Sequence, residues 1–533
     1  MLIGEQFMTH FNLGSSITDA RMAARWYNRI QRLAASTRLG IPITISSDPR
    51  HSFTNNAGTG IVASGFSQWP EAIGLAALRD ADLVRQFTDI ARQEYLAVGL
   101  RAALHPQVDI ATEPRWARIK GTFGEDAYLT SELLVAYIQG FQGDVFGPDS
   151  VSTVTKHFPG GGPQENGEDS HFKYGWNLTY QGGFFQHHLI PFKAAIAAGA
   201  RQIMPAYARS IGGEFEPVGA AFSKGMMTDL LRGELGYDGV VVTDWAIVTD
   251  TVVGTFTSSA HAIGVEHLAG WERVVKIIDA GCDQLGGESR PELLVELVRN
   301  GHVSEERINT SVRRILREKF LLGLFDDPYI DEDAAVEIVG RDDFVALGNA
   351  VQRRSYTLLT NKNDILPLTI PKGENLAPNF YIEGFNSTFM TARDLTVVED
   401  PADADFAFLR LEAPYSPRFE GLEVSFHAGT LEFNETMRAR HSAVFEAVPT
   451  IVEVIMDRPA AIPEVFDGAA AVFASYGSSP DAFLDVVFGT AKPEGKLPFD
   501  LPRSDAAVEA AMEDVPFDTK EPIFRFGHGL RYA

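Results

Sequence analysis

Asp244 closes a run of β-branched residues, Val240-Val-Val-Thr-Asp244, and an indole, Trp245, follows it directly. Three consecutive valines suit a strand buried on both faces. A carboxylate at the C-terminal end of such a strand points where parallel α/β barrels assemble their reactive groups. An aromatic face beside it suits the apolar face of a sugar ring. The competing reading is an Asp that caps the next helix. Other polar residues recur in the same context, just past strand-like stretches: Asp48, the pair Lys156-His157, and Tyr207. A carboxylate can attack or accept a proton, while Lys and His donate hydrogen bonds to hydroxyl groups. Five such positions at one end of successive strands carry more weight than any one of them.

The elements that must position these residues alternate regularly through residues 1–325. Strands are expected over 41–46, 151–156, 202–205 and 240–242, and helices over 71–99, 184–198, 226–235 and 271–281. Ser304 is placed to cap a long helix that runs to about Leu322. Repeated βα units of this spacing indicate a parallel barrel. Residues 326–350, acidic and with Pro328, read as a linker in which a helix begins near Ala346. Residues 351–533 alternate again, with strands over 406–411, 452–456 and 471–475 and helices over 435–448 and 480–487, as an open parallel sheet would. The fold expected is α/β: an N-terminal TIM-type (β/α) barrel followed by an open α/β sandwich domain.

Gly236-Tyr-Asp-Gly-Val-Val-Val-Thr-Asp-Trp245 resembles the nucleophile segment of glycoside hydrolase family 3, the β-glucosidase and exo-glucanase family. Further ordered segments are similar to it: Arg38-Leu-Gly-Ile-Pro42 through Asp48-Pro-Arg-His51, Glu113-Pro-Arg-Trp-Ala-Arg118 with Phe123-Gly-Glu-Asp126, Lys156-His-Phe-Pro-Gly-Gly-Gly162, and the terminal Phe524-Arg-Phe-Gly-His-Gly-Leu-Arg-Tyr532. The resemblance implies that Asp244 attacks the anomeric carbon. It implies sugar-binding roles for Asp48, Arg115, Lys156, His157, Met204, Tyr207 and Trp245, and a structural one for Glu125, paired to an arginine such as Arg118. Pro159 and the three glycines after it would keep their loop close to the ligand. It also implies a second domain that lends the barrel an active-site loop.

Retaining hydrolysis needs a second carboxyl group roughly 5–5.5 Å from the first. In this family it often comes from the second domain, where residues 411–429 carry Glu412, Glu420 and Glu423. Leu422-Glu-Val-Ser-Phe-His-Ala-Gly429 is similar to a bacterial version of that loop, which favours Glu423, then Glu420. Asp169-Ser-His171 resembles the acid/base dyad of the β-N-acetylhexosaminidase branch, in which Asp fixes the His tautomer. The reading expected is a retaining, exo-acting β-glycosidase, foremost a β-glucosidase. The rivals are a β-N-acetylhexosaminidase using Asp169 and His171, and a catalytically weak carbohydrate-binding protein.

Composition bounds the partners. A formal net charge of −25 disfavours nucleic acid and anionic membrane. One cysteine, Cys282, leaves no internal disulfide and no multi-cysteine metal site. No organic cofactor or metal is expected, and the partner is a small glycoside or oligosaccharide; homo-oligomerisation is left open. With no leader pattern at Met1-Leu-Ile-Gly, the expectation is a cytoplasmic protein or a chain whose leader lies outside this sequence.

Overall fold

The computed structural model describes residues 2–56, 58–63, 65–253, 256–369 and 378–532. Seven strands form the first sheet: β1 (His10–Asn12), β2 (Thr44–Ser47), β3 (Leu100–Ala103), β4 (Ser152–Phe158), β5 (Gln202–Pro205), β6 (Val240–Trp245) and β7 (Gln284–Gly286). They lie in chain order and every neighbouring pair is parallel. The sheet is curled, because Asn12 at the end of β1 and Gly287 just past β7 face one common cavity. Strand β6 is buried along Val240–Asp244, as its valines require.

The helix Glu305–Leu321 underpins the opposite end of this sheet. Ser304 caps it by accepting from Arg307 N at 3.2 Å. Its buried Lys319 donates to Thr9 O at 3.1 Å, Pro42 O at 2.9 Å and Thr44 Oγ1 at 2.7 Å, at the starts of β1 and β2. Its neighbour Glu318 accepts from Gln202 at the start of β5. One helix therefore ties strands from both halves of the curl.

Local chemistry moves several of the expected boundaries. The helix expected over 71–99 is two, Ala72–Leu78 and Ala81–Ala97. Arg79 takes a left-handed φ of 54° between them, and the Asp80 carboxylate caps the second. The helix expected over 184–198 is also two, Phe185–His188 and Ile190–Ala197, since Pro191 has no N–H to continue the first. Pairing in β2 starts at Thr44 rather than 41, because Pro42 cannot donate to a ladder. The stretch 326–350 is ordered rather than a bare linker. It holds a helix over Glu332–Ile338, capped by Asp331, and the start of another over Asp342–Ser355. The Asn28 amide exchanges two hydrogen bonds with the Ile330 backbone and docks it on the barrel domain.

The second sheet holds β8 (Thr357–Asn361), β9 (Asn379–Glu383), β10 (Thr396–Val398), β11 (Phe406–Glu412), β12 (Thr450–Ile455) and β13 (Ala471–Ser475). Their order is β8-β13-β12-β11-β9-β10, all parallel except β8 at its edge. Both faces are covered: Leu409, Val452 and Val472 enter one core, Phe408, Ile451 and Phe473 the other. Among the described residues no helix is long and apolar enough to cross a membrane.

Chain after β13 returns to the barrel. Lys496 N bonds Ala77 O at 2.8 Å. Buried Glu125 accepts from Asp500 N at 2.9 Å and Phe517 N at 2.6 Å. Glu125 is thus structural, as expected, but its partners are backbone amides of the second domain rather than Arg118.

Candidate active site

The carboxyl ends of β1–β7 open into a cavity of about 860 Å³. Asp48, Lys156, His157, Met204, Tyr207, Asp244 and Trp245 all line it. Alternation along a strand would send Lys156 and His157 to opposite faces. A register shift between Lys156 and Phe158 in the pairing with β5 lets both face the cavity.

Asp244 is 9% exposed, and its Oδ1 accepts the Trp245 N–H at 2.8 Å. Its Oδ2 stands 3.8 Å from His157 Nε2. The Trp245 indole has room only because Gly286 and Gly287 follow it in space. A Cβ on Gly287 would sit 2.7 Å from the ring, and its φ of +68° also excludes most side chains. Tyr207 donates to Trp245 O at 2.8 Å, and burial followed by the Asp244 charge keeps it a phenol well above the ordinary tyrosine range. Met204 packs beneath the indole with Leu104, Val154 and Val242.

On the opposite wall Lys156 Nζ meets Asp48 Oδ1 at 3.3 Å, and Asn12 Nδ2 reaches Asp48 Oδ2 at 3.5 Å. His157 is held from behind by Asp109, which is fully buried. Its carboxylate accepts His157 Nδ1–H at 2.8 Å, His157 N–H at 3.1 Å and Gly161 N–H at 2.5 Å. Burial, then the Arg118 guanidinium, lowers the His157 pKa against the pull of Asp109. The ring is therefore neutral with its proton on Nδ1, and Nε2 accepts from Arg118 Nη2 at 3.3 Å.

The arginine at the cavity is Arg118, not Arg115. Arg115 is taken up by a bidentate pair with Glu113, at 2.9 Å through both Nε and Nη2, and does not line the cavity. The glycines after Pro159 also differ from expectation. They pack on chain rather than on the cavity, for a Cβ on Gly162 would meet Ile110 O at 1.8 Å. Sequence reasoning missed Asn12, Arg118 and His261, which line the cavity, and Asp109 behind His157. Arg118 closes the quoted Glu113–Arg118 segment and was the one with a signal.

Asp169 and His171 form the dyad that their spacing allows. His171 Nδ1 meets Asp169 Oδ1 at 2.6 Å, and the Trp116 indole N–H donates to Asp169 Oδ2 at 2.8 Å. Burial would raise Asp169, but the His171 charge and hydrogen bond outweigh it and hold the carboxyl well below its usual range. His171 lines the cavity, edge-on to Tyr207 at 5.2 Å. Glu423 does not line it, although its neighbour Leu422 does. The Tyr174 hydroxyl donates to Glu423 Oε1 at 2.8 Å, across from one domain to the other. Arg418 lies 4.6 Å over the Tyr174 ring and bonds both Glu168 oxygens at 2.7 Å. Glu420 is exposed, and Glu412 faces a different cleft. Among the described residues no group of three His, Cys, Asp or Glu side chains is placed to hold a metal ion.

Comparison with known proteins gives the family. Residues 3–318 match the glycosyl hydrolase family 3 N-terminal domain, and residues 382–532 its C-terminal domain. The chain is 63% identical to β-glucosidase C of Emericella nidulans over 532 residues, covering 100% of this chain and 86% of that one. It is 40% identical to a periplasmic β-glucosidase/β-xylosidase of Dickeya chrysanthemi, covering 99% and 83%. A solved β-glucosidase from Erythrobacter marinus superposes with a TM-score of 0.81 at 22% identity, over 98% of this chain and 76% of its own. The chain belongs to glycosyl hydrolase family 3 and is a glycoside hydrolase.

Proposed function

We propose that this protein is a retaining, exo-acting β-glucosidase. The observation that carries the reading is the buried Asp244 facing Asp48, Lys156 and His157 across one cavity, in a chain 63% identical throughout to a β-glucosidase. Asp48, Lys156 and Arg118 grip hydroxyls on the non-reacting side of the ring, and Trp245 offers it an aromatic face. Asp244 then attacks the anomeric carbon; the new C–O bond forms as the glycosidic C–O bond breaks, and the leaving oxygen takes a proton from the acid/base. The same group next takes a proton from water, whose oxygen displaces Asp244 and releases the sugar with its configuration kept.

Glu423 is our acid/base. The Tyr174 bond holds it beside the cavity wall, one residue from Leu422. His171 is the second reading, favoured by its place in that wall and its bond to Asp169. Hydrolysis of a panel of 4-nitrophenyl glycosides by Glu423→Ala and His171→Ala, with and without azide, separates them. A slow Glu423→Ala enzyme that azide rescues, with a β-glycosyl azide as product, supports Glu423. The same behaviour in His171→Ala, with Glu423→Ala unaffected, transfers the role. Preference for the N-acetylglucosaminide over the glucoside overturns the β-glucosidase reading.

A further inference from the structure

The second sheet has a cleft at its own carboxyl edge, of about 950 Å³, that shares no lining residue with the active-site cavity. Open α/β sheets bind ligands outside the carboxyl ends of their strands, beside the point where strand order reverses. In β10-β9-β11-β12-β13 the reversal falls between β9 and β11. The cleft lies to one side of that reversal, over β11, β12 and β13: Glu412 ends β11, Asp457 is two residues past β12 and Gly477 two past β13. The barrel domain roofs it with Phe53, Glu71 and Lys120.

The groups here are polar and incompletely used. Asp457 Oδ2 accepts from His427 Nδ1 at 2.8 Å, while its Oδ1 is buried without a partner. With Nδ1 engaged, His427 presents Nε2, and its ring lies flat on Tyr415 at 4.0 Å. Burial would raise Asp457, yet the His427 bond and the Lys120 charge keep it lowered and ionised. The Lys120 ammonium has no hydrogen bond or ion pair among the described residues. Glu412 is exposed, and the Phe53 ring is 38% exposed. Donors, acceptors and one aromatic face around the cleft suit a hydroxyl-rich ring. Carboxylates outnumber the one ammonium, so an anion is disfavoured. We propose that this interdomain cleft is a second binding site, separate from the catalytic cavity, for a neutral monosaccharide. Its wall includes Val424, Ser425 and His427, so the occupant touches the loop that carries Glu423.

The test is calorimetric titration of the full chain with D-glucose, beside Lys120→Met and Glu412→Gln. Neither residue belongs to the catalytic cavity. The wild type is expected to show one more class of site than either variant, or a site weakened at least about tenfold in the variants. The variants should keep wild-type kcat/KM on a nitrophenyl β-glucoside, which shows that they fold. Glucose 6-phosphate should bind this site more weakly than glucose. Isotherms identical in wild type and both variants, or tighter binding of the phosphate, would overturn the proposal. The comparison stands whatever the catalytic cavity binds, so its failure is distinct from failure of the β-glucosidase reading.

Discussion

His157 has no proton to donate from the nitrogen that faces Asp244, because Asp109 fixes the proton on the other one. Three N–H groups converge on the Asp109 carboxylate, and an amide there would turn an NH2 toward one of them. Asp109→Asn is expected to lower kcat/KM by about 10²-fold through misplacement of His157, read with an aryl β-glucoside. Asp244→Asn should lower kcat by on the order of 10⁴ or more while its melting temperature stays near wild type; near-normal turnover would sink the mechanism. The two arginines of the Glu113–Arg118 segment should separate cleanly. Arg118→Ala is expected to show its loss in kcat/KM. Arg115→Ala should cost about 3 kcal/mol of stability, since Glu113 would remain buried without its partner. Spacing alone could not choose between them, as they stand three residues apart on either side of Trp116. Asp109 was illegible for another reason: it sits outside any strand or helix, in a stretch with no period.

Arg458 governs the element that bears Glu423. This fully buried guanidinium donates to Pro414, Ala428, Gly429 and Thr430 carbonyls at the two stems of the loop, and to Arg115 O of the barrel domain. Removing it leaves several buried carbonyls unpaired, at about 1–3 kcal/mol each. Arg458→Met should therefore loosen residues 414–430, seen as faster tryptic cleavage after Arg418, with a fall in kcat. An unchanged digestion rate would show that the tip contacts of Arg418 and Tyr174 hold the loop alone. Elements with strong periods were readable: β5 and the helix Pro480–Val487 match their expected bounds. Strands β1 and β10, three residues each and partly exposed, offer too little pattern to read. The Asp326–Pro328 stretch suggested a linker, yet Asp331, which caps the helix that follows, is an acidic residue too.

Across the molecule, part of the loss of stability in acid falls to buried carboxylates that face histidines. Asp109 and Asp169 both titrate below the ordinary aspartate value near 3.8, despite burial, because His157 and His171 respectively favour their ionised forms. Below that value the unfolded chain binds these protons first, so stability is complete above it and falls as pH drops toward the folded values. The unfolding free energy from urea titration should decline as pH falls below about 4, and decline less in Asp169→Asn, by on the order of 1–3 kcal/mol. A pH dependence unchanged by that variant would assign the effect elsewhere. The return of chain after β13 also sets a schedule. Asp514 bonds the Gly182 and Phe184 amides at 2.8 Å and, through its carbonyl, His188 at 3.0 Å, while Phe517 reaches Glu125. Residues 182–188 lie beside the active-site loops yet wait for partners more than half the sequence away. During biosynthesis the barrel is thus unfinished until residue 517 has left the ribosome, and hydrolytic activity waits for the second domain rather than arriving when the barrel's own sequence has been made.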